Sequence, residues 1–228
     1  MPSMLDDSGT ESRPYVLAIT SHRGGTGRTT MCAALAWHWA QNGNKVVLVD
    51  ANPVSTAKYV VCNADGAEVW DRVKLVNAPH GLQTTPNHCD IILIDCPPIT
   101  EPLCQQSLSL ADGVLVTIGS DPFSLASMAQ SGARFKDWLR LQPGLEILGV
   151  VVPMFAANIQ SQTRGLARLQ SIDELFLGPA IPVRREFRDW SLNPGSPPPT
   201  GAANDAVEVL SWAILDLVNT RAAVAKVE

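Results

Sequence analysis

The chain has 228 residues, enough to bury one sizeable α/β core. Its net charge of −5 means that the surface as a whole does not advertise nucleic-acid binding, and no apolar run approaches the about 18 residues of a membrane-spanning helix. The five cysteines (Cys32, Cys62, Cys89, Cys96 and Cys104) form no C-x-x-C pair, which favours reduced thiols in a cytoplasm over a metal site.

Met1 to Arg13 is acidic and polar, lacks the apolar centre of a signal peptide, and reads as part of a disordered tail over residues 1–14. Tyr15 to Thr20 is a short apolar run, expected as a buried parallel strand. The stretch Ser21-His22-Arg23-Gly24-Gly25-Thr26-Gly27-Arg28-Thr29-Thr30 follows it and opens a helix from Thr29 to Gln41, which Asn42-Gly43-Asn44 ends. Strand, glycine loop and helix together cradle phosphates: glycines let backbone N–H groups converge on an anion, and the helix N-terminus adds its positive end. The strict pattern G-x-x-x-x-G-K-[ST] is not met, because Arg28 holds the lysine position and His22 the first glycine position.

Lys45 to Val49 is a second buried strand, with Asp50 at its carboxyl end. Ligands of open α/β sheets bind beyond that end, so Asp50 stands beside the glycine loop or caps the next turn. Residues 54–89 carry a weak pattern, with a short strand at Val73 to Val76. Asp90 to Asp95 is an apolar run ending in a carboxylate, followed by Cys96-Pro97-Pro98. A strand from Val114 to Ile118 leads to Ser120-Asp121-Pro122, which starts a helix through Leu141. A strand over Leu145 to Val152 and a helix over Asn158 to Leu177 come next. Asn193 to Gly201 is a Pro/Gly-rich loop, and Asn204 caps a last helix whose Val207, Leu210, Ile214, Leu217 and Val218 share one face. The alternation predicts α/β architecture: one doubly wound, mainly parallel sheet with helices on both faces, over residues 15–228.

The loop Arg23-Gly24-Gly25-Thr26-Gly27-Arg28-Thr29-Thr30 resembles the K-G-G-x-G-K-T-T loop of the ParA/MinD family of P-loop ATPases, with arginine at both lysine positions. Asp50-Ala51-Asn52-Pro53 resembles the family's D-x-D-P, and residues 90–98 its apolar strand ending in D-x-P-P. Ala180-Ile181-Pro182 resembles its V-I-P loop beside the base. The resemblance implies ATP and Mg²⁺ as cofactors. It assigns the nucleotide to Gly24, Gly25, Thr26, Gly27, Arg28, Thr29, Thr30 and Pro182, the metal to Thr29, Asp50 and Asp95, and the chemistry to Arg23, Arg28, Asp50 and Asn52.

Several departures bear on turnover. Arg28 keeps a charge but not the compact ammonium. Arg23 stands where the family's lysine reaches a partner's nucleotide across a dimer. Asn52 holds a water but accepts no proton. Pro153 replaces the polar residue expected near the adenine. Slow or partner-stimulated hydrolysis, or binding without turnover, is therefore expected. The resemblance implies a cytoplasmic, ATP-dependent homodimer that works with a partner or adaptor protein in partitioning DNA or positioning a large cargo. Nucleoid DNA would be met through Arg164, Arg168, Arg184, Arg185 and Arg188, and no membrane anchor is expected. The alternative is a hydrolysis-deficient structural or regulatory subunit of a secretion, pilus or cellulose system.

Overall fold

A computed structural model describes residues 13–61, 67–86, 88–124, 144–171 and 176–224. Its strands are β1 (Tyr15–Ser21), β2 (Val46–Asp50), β3 (Val73–Asn77), β4 (Ile91–Asp95), β5 (Gly113–Thr117) and β6 (Glu146–Val151). Helices with both ends among the described residues are α1 (Arg28–Gln41), α2 (Pro102–Leu108), α3 (Gln160–Gln170), α4 (Arg185–Asp189) and α5 (Ala202–Val224). The strands form one sheet in the order β3-β2-β4-β1-β5-β6, every neighbouring pair parallel.

Both faces of the sheet are covered, and for that reason β1, β2 and β4 read as continuous apolar runs rather than as alternation. Leu17 and Ile19 face one core with residues of α1 and α5, whereas Val16 and Ala18 face the other with residues of α2 and α3. Helix α1 lies between the sheet and α5, and Met31 to Ala40 are buried on all sides. Its alanines allow that close packing. Gly43, at φ +95°, ends it: the Gly43 N–H donates to the Ala40 carbonyl at 3.0 Å and the Asn44 N–H to that of Trp39 at 3.1 Å.

The thin stretch between β2 and β3 is closed by aromatic packing. Among the described residues it holds two short 3₁₀ turns, Ala57–Tyr59 and Glu68–Arg72. Trp70 is fully buried, 5.1 Å from the Trp37 ring and 6.4 Å from that of Trp190. The Trp70 and Trp190 indole N–H groups both donate to the Ser196 carbonyl, at 3.2 and 3.1 Å. This cluster draws the loop after α4 onto the segment that precedes β3.

Three local expectations need correction. The helix predicted over Asn158 to Leu177 is shorter: Ile159 is extended, the helix ends at Gln170, and Phe176 pairs with Val150 as a bridge. Asn204 does not cap the last helix, which starts at Ala202; its amide oxygen instead meets His38 Nε2 at 3.1 Å. Arg13, assigned to the tail, is ion-paired with Asp112. Pro14, also assigned to the tail, is buried, whereas residues 1–12 and most of the helix expected through Leu141 lie outside the described residues. Asp121 does cap the start of that helix, its Oδ1 accepting the Phe123 and Ser124 N–H groups at 3.1 and 3.0 Å.

Candidate functional site

The parallel register brings the sequence motifs together. In the β2–β4 ladder Asp50 lies opposite Asp95, and in the β1–β4 ladder Ile19 lies opposite Asp95. Both carboxylates therefore stand at the carboxyl edge of the sheet, where β1 turns into the glycine loop. Gly25 and Gly27 take φ +75° and +83°, the left-handed region that glycine adopts without strain. A Cβ on Gly27 would lie 3.1 Å from Pro153 Cβ, so the loop rests directly on the end of β6.

Thr29, in the first turn of α1, donates its hydroxyl proton to Asp95 Oδ2 at 2.6 Å. Asp95 is fully buried, and its Oδ1 is a buried oxygen without a hydrogen-bond partner. Burial pushes the Asp95 pKa up to about 6; the Thr29 hydroxyl opposes the rise and the nearby Asp50 charge adds to it. A buried, half-satisfied carboxylate beside a hydroxyl is a hard oxygen site, which suits Mg²⁺. Asp50 has a further task. Its Oδ1 accepts the Asn52 N–H at 3.1 Å and its Oδ2 the Ala57 N–H at 2.8 Å, so this carboxylate clamps the loop that follows β2. Of the two placements open in the sequence, the structure shows both: Asp50 stands beside the phosphate loop and also caps the turn.

The remaining polar groups are held as follows. Arg28 Nη1 donates to Ser21 Oγ at 2.6 Å, and that hydroxyl donates to the Arg23 carbonyl at 2.6 Å. Arg28 thus braces the loop from within. Arg23, its side chain half exposed, donates to Asp121 Oδ2 at 2.9 Å and to Ser124 Oγ at 2.7 Å. Asn52 Nδ2 donates to the Asp95 backbone carbonyl at 3.2 Å. Thr26 and Thr117 hydroxyls meet at 2.9 Å. Thr30 and Gly27 form one wall of a mainly apolar cavity of about 210 Å³, whose other walls include Pro153, Pro182, Phe187 and Trp190. It adjoins the glycine loop at the size and polarity that suit a nucleobase.

The five arginines expected as one basic patch divide. Arg164 and Arg168 lie on α3, whose Leu166 and Leu169 pack on one face of the sheet; α4 and Trp190 pack on the other. Arg184 and Arg188 line the cavity, and Arg185 is paired with Asp189 at 3.2 Å. Sequence reasoning missed Thr56, Asp121, Ser124 and Thr117 as partners of loop residues, and Trp190 as a cavity wall. These contacts are set by strand order, and hydroxyl or aromatic residues of this kind carry no local signature.

A left-handed glycine loop between a parallel strand and a helix, a helix-start hydroxyl on a buried strand-end carboxylate and an adjoining base-sized cavity define a P-loop nucleotide-binding protein. Residues 17–194 match the CobQ/CobB/MinD/ParA nucleotide binding domain, and the chain belongs to that family. It is similar to the chromosome-partitioning ATPase Soj of Thermus thermophilus, 27% identical over 186 residues that span 65% of this chain and 75% of Soj. It is also similar to the maintenance of carboxysome distribution protein A of Halothiobacillus neapolitanus, 26% identical over 163 residues, 67% of this chain and 74% of that protein. The fold matches the septum site-determining protein MinD of Pyrococcus horikoshii complexed with Mg-ADP at a TM-score of 0.67 and 19% identity, covering 90% of this chain and 97% of that one. Among the described residues no helix is long and apolar enough to cross a membrane.

Proposed function

We propose that the chain binds ATP with Mg²⁺ and acts as an ATP-dependent homodimer in partitioning DNA or positioning a large cargo, with slow or partner-stimulated hydrolysis. The observation that carries this reading is the Thr29–Asp95 pair with its unpartnered Asp95 Oδ1, beside a glycine loop that also walls the apolar cavity. The names of the relatives, one in chromosome partitioning and one in carboxysome distribution, support a spatial role.

The chain's own residues supply the following. The N–H groups of Gly24 to Thr30 surround the phosphates, and the dipole of α1 favours their charge. Thr29 and Asp95 would hold Mg²⁺, with Asp50, which clamps the loop at Ala57, adding negative charge. When bound, Mg²⁺ would supply positive charge that offsets the charge of the phosphates. Pro182 and Trp190 enclose the base. Arg28 leaves Ser21 to reach phosphate oxygens. Arg23 leaves Asp121 and Ser124 to serve the partner's nucleotide. Asn52 positions water but takes no proton, which keeps turnover slow. Arg164 and Arg168 are exposed on α3 and would meet DNA there.

The alternative, a hydrolysis-deficient structural or regulatory subunit, draws on the same contacts. Arg28, Arg23 and Asn52 are each satisfied within the chain, and a protein that never turns over needs no more of them. Light scattering on size-separated protein with Mg²⁺ and ATP, ADP or no nucleotide distinguishes the two. A dimer that forms with ATP alone is expected. ATP binding without dimerisation, or no binding at all, sinks the switch and leaves the structural subunit.

A further inference from the structure

The cavity beside the glycine loop is rich in hydrogen-bond donors and poor in acceptors. Much of its wall is apolar, and Pro153 and Pro182 offer neither an N–H nor a polar side chain. Among the described residues no carboxylate or carboxamide lines it. Helix α4 supplies the charge. Arg184, Phe187 and Arg188, at the i, i+3 and i+4 spacing of one helix face, all line the cavity, whereas Arg185 is held by Asp189 at 3.2 Å. Phe187 packs edge-on against Trp190, ring centres 5.7 Å apart, and so fixes α4 beside the cavity. Arg184 Nη1 donates to the Val183 carbonyl at 3.2 Å. Arg188 is exposed, so it stands where the cavity opens to solvent, and among the described residues no hydrogen bond or ion pair holds its guanidinium.

A guanidinium donates five N–H groups and accepts none. Guanine carries acceptors at both O6 and N7, which one arginine meets with two parallel bonds. Adenine keeps the N7 acceptor but has a donor amine at position 6, which faces the arginine donor to donor. Main-chain carbonyls of the wall do not reverse this order. They accept from the adenine amine and from the N1–H and 2-amine of guanine alike. We infer that the site takes GTP at least as well as ATP, and that Arg188 is the residue that sets the choice of base. This deepens, and rests on, the reading of the cavity as the seat of the base of a nucleoside triphosphate.

The test is displacement of fluorescent methylanthraniloyl-ATP by unlabelled ATP, GTP and inosine triphosphate in MgCl₂, with wild type, Arg188→Ala and Arg188→Gln. Inosine triphosphate keeps the O6 and N7 of guanine without its 2-amine. From wild type, GTP and inosine triphosphate should displace the probe at the concentration that ATP needs, or at one about fivefold lower, the low end for a bidentate arginine because Arg188 is exposed. Arg188→Ala should raise the concentrations needed of both about fivefold and leave that of ATP within about twofold. Glutamine pairs with the N6 and N7 edge of adenine, so Arg188→Gln should turn the preference to ATP. Thermal melts should show both variants folded as wild type, since the side chain is exposed. ATP that displaces the probe from wild type at a lower concentration than GTP or inosine triphosphate overturns the inference. So does an equal loss of all three nucleotides in Arg188→Ala, or an unchanged ratio of GTP to ATP in both variants. Wild type that neither binds the probe nor shifts its melt with any of the three overturns the reading of the cavity beneath it.

Discussion

Replacing Asp95 by Asn should stabilise the nucleotide-free protein near neutral pH while removing its response to Mg²⁺ and ATP. The Asp95 carboxyl is fully buried, and burial raises its pKa from 3.8 to about 6. The folded state thus binds this proton more tightly than the unfolded chain does. The associated stability is fully present below about pH 4 and is lost as the pH rises through about 6. A shift of about 2 pH units at 1.36 kcal/mol each gives about 3 kcal/mol, an upper figure for one group. Asn does not titrate. Its amide oxygen still accepts from Thr29, but its NH₂ takes the place of the unpartnered Oδ1, at a cost of roughly 1–3 kcal/mol. The difference in unfolding free energy between Asp95→Asn and wild type should therefore move in favour of the variant by about 3 kcal/mol from pH 4 to pH 7 and stay level above. Urea unfolding at several pH values measures it, followed by fluorescence of the packed Trp37, Trp70 and Trp190. Addition of MgCl₂ and ATP at pH 7.5 should raise the midpoint of wild type alone. A difference that is constant with pH, or that moves in favour of wild type as pH rises, refutes the reasoning.

Gly27→Ala forces a side chain into φ +83° and sets its Cβ 3.1 Å from Pro153; a loss of about 1–2 kcal/mol in urea unfolding is expected, with weaker ATP binding by calorimetry. Asp121→Ala removes both the partner of Arg23 and the helix cap. It should cost about 1 kcal/mol of stability yet increase the dimer fraction at limiting ATP by light scattering, whereas Arg23→Ala should abolish that dimer. Trp190 lines the cavity and stacks on Trp70. ATP should alter the intrinsic fluorescence of wild type, and Trp190→Phe should lose most of that change.

The glycine loop, Asp50, Asp95 and the short strands were legible because each is a local pattern with a local cause. An apolar run of five or six residues ending in a carboxylate needs no distant information. The shorter helix α3 was not legible, since Phe176 leaves helical periodicity to pair with Val150, a contact available only when β6 is in place. Asn204 looked like a cap because Asn favours that position, but burial beside His38 drew its amide inward. The arginines from 164 to 188 looked like one patch in sequence, and the sheet set them on two sides.

The order of strand, glycine loop, helix and two acidic strand ends is written in the chain, and with it the class of fold and the kind of ligand. Strand order lies beyond it. Only the insertion of β4 between β2 and β1 sets Asp95 against both Asp50 and the start of the glycine loop. Only the folded loop after β2 aims Thr56 at Thr29, and only the approach of Asp121 gives Arg23 a partner. These contacts join residues far apart in sequence through hydrogen bonds a few ångströms long. No periodicity or local propensity encodes such distances, and packing of the two cores decides them.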